Sequence, residues 1–377
     1  MAMFDFFSEL AEIAAVMPVI DWMKKWLWHP GQRDGDLTIN VMMIGGRRCG
    51  KTSVLASMQS CFEDVASQDT NLMLNTADSD TLDVIERKKH EMIMYFKSKG
   101  KKFFVPDSNP TLELTSYGFD LSLRDKKRNK LCINFIDYPG EWLSAKASKE
   151  DQERLAVLMK TSHIMIVAID TPYMMEEDGQ YGEFSNAYYR TTEMIKKSGF
   201  IDKESMILFV PLKCERYLND KKIDLVQSKV CEVYKNLIQY IQYSGKCTAA
   251  ITPILTLGGA AFSRFARNDD GEIIMREGTD IPDKAIYYFP DDKVTEPEPR
   301  FCEQPLFYTL AYTLHMAKAE KEKKKSGIEE AIQWLQTQFF KWPSAADYEK
   351  EFAKIRQKMK TSEDGYYVLN KSSWLKS

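Results

Sequence analysis

Leu37-Thr-Ile-Asn-Val-Met-Met-Ile44 runs directly into Gly45-Gly-Arg-Arg-Cys-Gly50-Lys51-Thr52-Ser53, and from Lys51 to Phe62 the apolar residues recur at helical spacing. The first eight residues are short and largely apolar, which predicts a strand buried on both faces. The next eight satisfy G-x-x-x-x-G-K-[ST] in the strand-to-helix setting that the motif requires. Such a loop has one physical task, which is to wrap phosphate oxygens with backbone N–H groups. Gly45, Gly46 and Gly50 let the backbone come close, and Arg47, Arg48 and Cys49 occupy the variable positions between them. Lys51 reaches the outer phosphates, Thr52 offers a hydroxyl to Mg²⁺, and Ser53 completes the candidate phosphate-binding set.

Outward from this loop, apolar runs bounded by turn residues recur at 132–136, 163–169, 206–210 and 249–255. Helical patterns at 149–159, 185–197 and 225–243 lie between them, so strand and helix alternate and predict a mostly parallel α/β sheet. The stretch 117–123 alternates polar and apolar residues ahead of the turn-like 124–130, which predicts a hairpin and one antiparallel edge strand. Two segments exceed this plan. The first, 65–104, carries a helical pattern over 79–97, and the second, 264–299, carries the turn signal Asn268-Asp-Asp-Gly271 and a stretch rich in Pro and acids. The expected organisation is an amphipathic helical segment over 1–35, a nucleotide-binding domain over 36–317, and a charged linker with a helical tail over 318–377.

In the first thirty residues Phe7, Leu10, Ala14 and Met17 repeat at helical spacing, Pro18 breaks the pattern, and Ile20, Met23, Trp26 and Leu27 resume it. Asp5, Glu9, Glu12, Asp21, Lys24 and Lys25 interrupt the segment too often for a membrane span. Acids precede its apolar residues, against the charge order of an export signal. Packing on the main domain is the leading reading, ahead of docking to a partner, with contact to a membrane surface the weakest of the three.

The chain has 377 residues, 44% of them hydrophobic and 28% charged, the composition of a folded globular protein. Lys+Arg 52 against Asp+Glu 55 leaves a net charge of -3, so no general basic field holds a nucleic acid. Seven scattered cysteines without a CxxC pair suggest neither a disulfide framework nor a zinc site, and the chain reads as cytoplasmic. His29, His90, His163 and His315 are isolated and lack metal-ligand spacing.

A second motif closes Leu131-Cys-Ile-Asn-Phe-Ile-Asp137-Tyr-Pro-Gly140-Glu141, an apolar strand ending in Asp-x-x-Gly. Asp137 at the strand tip can hold a metal-bound water beside the phosphate loop, and Gly140 can present its N–H to a γ-phosphate.

With both motifs in place, the stretch from Leu37 to Leu257 resembles the TRAFAC class of P-loop GTPases, the translation-factor and Ras-like group, and especially its bacterial branch with large inserts. The resemblance implies a P-loop NTPase fold, a three-layer α/β/α sandwich, with GTP or GDP and Mg²⁺ as ligands. In that family a threonine of the first switch closes over the metal; Thr111 is the preferred candidate and Thr115 the alternative. Base choice comes from Asn/Thr-Lys-x-Asp, here Val210-Pro-Leu-Lys213-Cys-Glu215, in which leucine replaces the Asn/Thr and Glu215 is one methylene longer than aspartate. The last family element, over the base, falls at Ile251-Thr-Pro-Ile-Leu-Thr256-Leu-Gly258-Gly259, with Thr256 as its candidate contact.

Two departures bear on turnover. Glu141 stands where Ras-like proteins carry the water-orienting glutamine, and its charge would face a γ-phosphate, so slow intrinsic hydrolysis is expected. Arg47, in the loop, can stabilise transferring charge in cis or face a partner, as can Arg48. The expected function is a Mg²⁺-dependent GTPase, with Glu141, Arg47 and Lys51 as catalytic candidates, that switches contacts with a protein effector or multi-protein assembly. The alternatives are a nucleotide-binding scaffold with negligible turnover, or a P-loop ATPase or kinase.

Overall fold

Strand β1 (Leu37–Ile44) lies inside an eight-stranded sheet in the computed structural model, which describes residues 37–46, 49–98, 114–123, 126–143, 147–291, 293–323 and 353–370. The sheet's other strands are β2 (Leu72–Thr76), β3 (Thr115–Leu123), β4 (Lys126–Asp137), β5 (Ile164–Asp170), β6 (Ser205–Leu212), β7 (Cys247–Ile251) and β10 (Tyr367–Val368), while β8 (Ala261–Phe265) and β9 (Ala285–Tyr288) pair in a separate two-stranded sheet. The helices are α1 (Lys51–Asp69), α2 (Ser79–Lys97), α3 (Lys149–Thr161), α4 (Thr171–Met175), α5 (Gly182–Asn186), α6 (Tyr188–Lys197), α7 (Glu215–Asn219), α8 (Ile223–Val233), α9 (Lys235–Ser244) and α10 (Gln304–Lys323).

The sheet order is β10-β7-β6-β5-β1-β4-β3-β2. Strands β4, β1, β5, β6 and β7 run parallel, and β3 pairs antiparallel with β4 as the alternating pattern predicts. The period of two along each buried strand divides the core. Val41 and Met43 of β1, with Ile164 and Ile166 of β5, face α1 and α10 in one apolar cluster. Met42 and Ile44, with Met165 and Val167, face α3, α6, α8 and α9 in the other. Two helical layers on one sheet make the expected three-layer α/β/α sandwich, and it brings the carboxyl ends of β1, β4, β5, β6 and β7 to one edge.

Tertiary contacts reshape several elements. Within the first insertion, β2 extends the antiparallel edge by pairing with β3, and α2 is fixed beside it. Asp78 caps α2 by accepting the Thr81 N–H at 2.7 Å, and the Thr81 hydroxyl accepts the Gly118 N–H of β3 at 3.2 Å. The helix expected over 185–197 is two helices hinged at Ala187, whose φ is 51°. That expected over 225–243 breaks at Tyr234, whose buried ring packs 4.9 Å from Phe209 and 5.3 Å from Tyr188. Strand β7 ends at Ile251, although the backbone bonds to β6 continue past it, Thr252 and Ile254 donating to Phe209 and Pro211 on either side of Pro253.

Residues 353–370, expected in a separate tail, return to the same core. Ile355 is fully buried, the Tyr366 hydroxyl donates to the Pro253 carbonyl at 2.6 Å, and β10 adds antiparallel to β7. The expected N-terminal helices, and the start of the helical tail, lie outside the described residues.

His163 joins β1 to the start of β5, its Nδ1 accepting the Asn40 N–H at 3.1 Å. Burial, with the nearby Lys203 ammonium, holds this imidazole down to about 4 from its ordinary 6.5. The unfolded chain therefore takes the proton first as pH falls. Stability from this group is complete above about 6.5 and is lost as pH drops from there towards 4. Urea midpoints measured across that window should fall more steeply for the wild type than for His163→Gln.

Candidate nucleotide site

Strand β1 delivers the phosphate loop to the sheet's carboxyl edge, and the loop turns at Gly50, whose φ is 110°, into the first turn of α1. Gly46 is required by close approach: a Cβ there would stand 1.8 Å from the Ser185 carbonyl oxygen of α5. Cys49 is buried beside Gly45, and burial pushes its thiol up.

Lys51 and Asp137 meet at the loop's mouth. The Lys51 Nζ donates to the Gly45 carbonyl at 3.3 Å and lies 3.5 Å from Asp137 Oδ1. The Thr52 hydroxyl donates to Asp137 Oδ2 at 3.4 Å. Lys51 is 6% exposed and Asp137 0%. Burial by itself would lower the lysine, but the Asp137 carboxylate outweighs it and holds the ammonium above its ordinary value. A threonine hydroxyl and a carboxylate at adjacent strand and helix ends are hard oxygen donors, which suit a Mg²⁺ that keeps most of its water and is shared with phosphates. No group of three His, Cys, Asp or Glu side chains suited to an all-protein metal site occurs among the described residues.

Tyr138, inside Asp-x-x-Gly, is a member of the site that motif reading passes over. It is fully buried, its hydroxyl accepts the Gly45 N–H at 3.4 Å, and its ring lies 5.5 Å from the Lys51 ammonium. Trp142 stacks on it at 6.4 Å, so the turn after the motif is tied to the phosphate loop. Gly140 opens that 3₁₀ turn, Glu141 is exposed on it, and Arg190 of α6 donates to the Leu143 carbonyl at 3.4 Å. Ser53 is half-buried in the first turn of α1. Arg47, Arg48 and Thr111 lie outside the described residues. Thr115 is the cross-strand partner of Asp137 in the β3–β4 register.

A second cluster of polar side chains is built where β5, β6 and β7 finish. Lys213 has φ 60°, and its ammonium pairs with Asp170 Oδ2 at 2.5 Å, both groups being buried. Asn186 holds Asp170 in turn, its Oδ1 accepting the Asp170 N–H at 2.7 Å and its Nδ2 donating to the Asp170 carbonyl at 3.3 Å. Leu212, which replaces the family's polar residue, lies near the loop, its Cδ1 3.8 Å from where a Cβ on Gly50 would stand. The base motif is therefore apolar beside the phosphate loop at this position.

Glu215 begins α7 and is 0% exposed. Its Oε1 accepts the N–H groups of Leu257 at 2.9 Å and Gly258 at 3.1 Å, whereas Oε2 is buried with no hydrogen-bond partner. Burial pushes this carboxyl up, against the two N–H groups and the Lys213 ammonium. Thr256 is buried in the same loop, and its carbonyl accepts the Ser57 hydroxyl of α1 at 3.5 Å. Lys213, Glu215 and Thr256 are thus brought together as their motifs predict, with Asp170 and Asn186 added to them. An acid closing an otherwise apolar β5 was the available sign of Asp170.

A family model described as Double-GTPase 2 matches residues 39–238, more than half of the chain. Among solved structures, the chain is similar to the S. cerevisiae Ski7 GTPase-like domain bound to GTP, at 14% identity and TM-score 0.31, over 66% of this chain and 48% of that one. The same domain bound to GDP and inorganic phosphate matches at 13% identity and TM-score 0.31, over 66% and 47%. A third similar structure, sup35 complexed with GDP, has 11% identity and TM-score 0.25, over 59% and 38%. The chain spans about half of the Ski7 chains or less. No curated protein matches it.

Proposed function

The chain belongs to the Double-GTPase 2 family, and we propose that it binds GTP and GDP with Mg²⁺, hydrolyses GTP slowly to GDP and phosphate, and acts as a nucleotide-dependent switch on a protein partner. The observation that carries this reading is the convergence of Lys51, Thr52 and Asp137 at the mouth of a glycine loop. Lys51 would bind the outer phosphates, and Thr52 and Asp137 would hold Mg²⁺, with Thr111 the preferred switch threonine. The bound metal would supply charge neutralisation on the phosphate oxygens. Glu141 offers a negative charge towards the γ-phosphate and favours slow turnover, with Arg47 or a partner supplying the missing positive charge. A cytoplasmic setting follows in this proposal from the scattered, framework-free cysteines of the sequence.

Guanine is the proposed base. The partnerless Oε2 of Glu215 is a buried acceptor in want of donors, and the guanine edge presents N–H donors where adenine presents an acceptor. A buried group left unpaired rejects the wrong ligand strongly. Competition between GTP and ATP for the wild type tests the reading, and equal affinities refute it. Glu215→Ala should weaken GTP binding about tenfold to a hundredfold and leave ATP nearly unaffected, removing the preference.

A further inference from the structure

The second insertion, 264–299, together with the flanking residues 261–263 and Arg300, touches both the base loop and the segment laid on the phosphate loop. At the base end it lies on the loop that holds Glu215. Gly258 has φ 66°, and a Cβ there would stand 1.8 Å from the Glu298 carbonyl oxygen; one on Gly259 would stand 2.5 Å from Val294 Cγ1. Leu255 and Arg300 exchange both backbone hydrogen bonds, at 3.0 and 2.9 Å. Phe289 closes this contact against α2, its ring 5.2 Å from Phe96 and 5.8 Å from Tyr95.

At the phosphate end the same insertion grips residues 171–186. The Tyr173 hydroxyl donates to the Pro282 carbonyl at 2.9 Å, and its ring lies 4.9 Å from Phe265, which also meets Tyr181 edge-on at 5.7 Å. Arg267 pairs with Glu177 at 2.7 Å, at a turn where Glu177 and Asp178 have φ of 51° and 57°. The gripped segment starts beside Asp170, ends at the Asn186 that holds Asp170, and lays the Ser185 carbonyl on Gly46 of the phosphate loop.

We propose that the insertion is a strap coupling the base loop to the phosphate loop, and that Tyr173 is a positioning residue through which it sets the rate of nucleotide release and the strictness of base choice. The inference rests on the guanine-nucleotide reading of the site. Tyr173 reaches the base motif along its own segment as well, through Thr171 beside Cys214 and Asp170 paired with Lys213. Coupling of its effect to that of Val294 is therefore the mark of passage through Pro282 and the insertion to the loop at 257–259.

The test follows release of GDP carrying a fluorescent ribose label from the wild type, Tyr173→Phe, Val294→Ala and the double variant, with GTP-against-ATP competition and melting temperature measured on each. Tyr173→Phe removes one hydrogen bond and should speed release about threefold to tenfold while narrowing the guanine preference. Val294→Ala should act in the same direction, and the double variant by clearly less than the product of the two, as coupled sites do. Faster release with an unchanged base preference, or strictly multiplicative effects, overturns the strap and leaves the nucleotide reading standing. A folded wild type that binds no labelled GDP overturns both. Gly258→Ala provides an independent push from the base end, and Val294→Ala carries the comparison if that variant does not fold.

Discussion

Lys51→Ala lowers the affinity for GTP and GDP about a hundredfold or more, measured by titration calorimetry well below the melting temperature. The ammonium is the one cationic side chain described inside the phosphate loop's mouth, 6% exposed and already aimed at Gly45 and Asp137. Truncating one member of a buried, hydrogen-bonded charge pair costs about 2–5 kcal/mol, and 1.4 kcal/mol is tenfold in binding. The geometry adds a second consequence. Asp137 is fully buried against Lys51, so the alanine variant also loses stability, because a buried carboxylate is deprived of its counter-charge. Adding Asp137→Asn should restore much of the melting temperature without restoring nucleotide binding. That split separates a lysine that binds phosphate from one that only neutralises a neighbour.

Asp137→Ala should reduce single-turnover GTP hydrolysis at least about a hundredfold if, as proposed, Asp137 is the carboxylate that would hold the metal-bound water, since metal stabilisation of transferring charge is worth several kcal/mol. Its signature differs from that of Lys51→Ala. The carboxylate accepts the Thr52 hydroxyl and pairs with Lys51, so both lose a shared partner while the lysine stays within the loop. Nucleotide affinity in excess chelator should therefore change less than affinity in millimolar Mg²⁺, whereas Lys51→Ala weakens both. A variant with full Mg²⁺ dependence and full turnover would remove Asp137 from the site.

The phosphate loop was legible because its strand, glycines, lysine and helix are contiguous, so no tertiary knowledge was needed to read them. The parallel core was legible for a related reason: strands buried on both faces leave uninterrupted apolar runs between helical patterns. What stayed hidden depends on register. Asp170 and Lys213 become neighbours because Asp170 faces Leu212 in the β5–β6 ladder, and nothing local to either residue announces it. The break at Ala187 serves Asn186, whose side chain turns back to the Asp170 backbone, and helical periodicity runs through such a hinge unaltered. Glu215 was found by its motif, but its capture by the N–H groups of Leu257 and Gly258 depends on where the loop after β7 lands. The return of residues 353–370 to add β10 was equally invisible, since a strand of two residues carries no periodic signal.

The most direct measurement is titration of the wild-type protein with GTP, GDP and ATP in Mg²⁺, followed by phosphate release from the bound triphosphate. The expected result is tight binding of GTP and GDP, ATP weaker by at least about tenfold, and phosphate release slower than about 10⁻² s⁻¹ for the protein alone. Equal affinities for ATP and GTP, or a folded protein that binds neither, would contradict it.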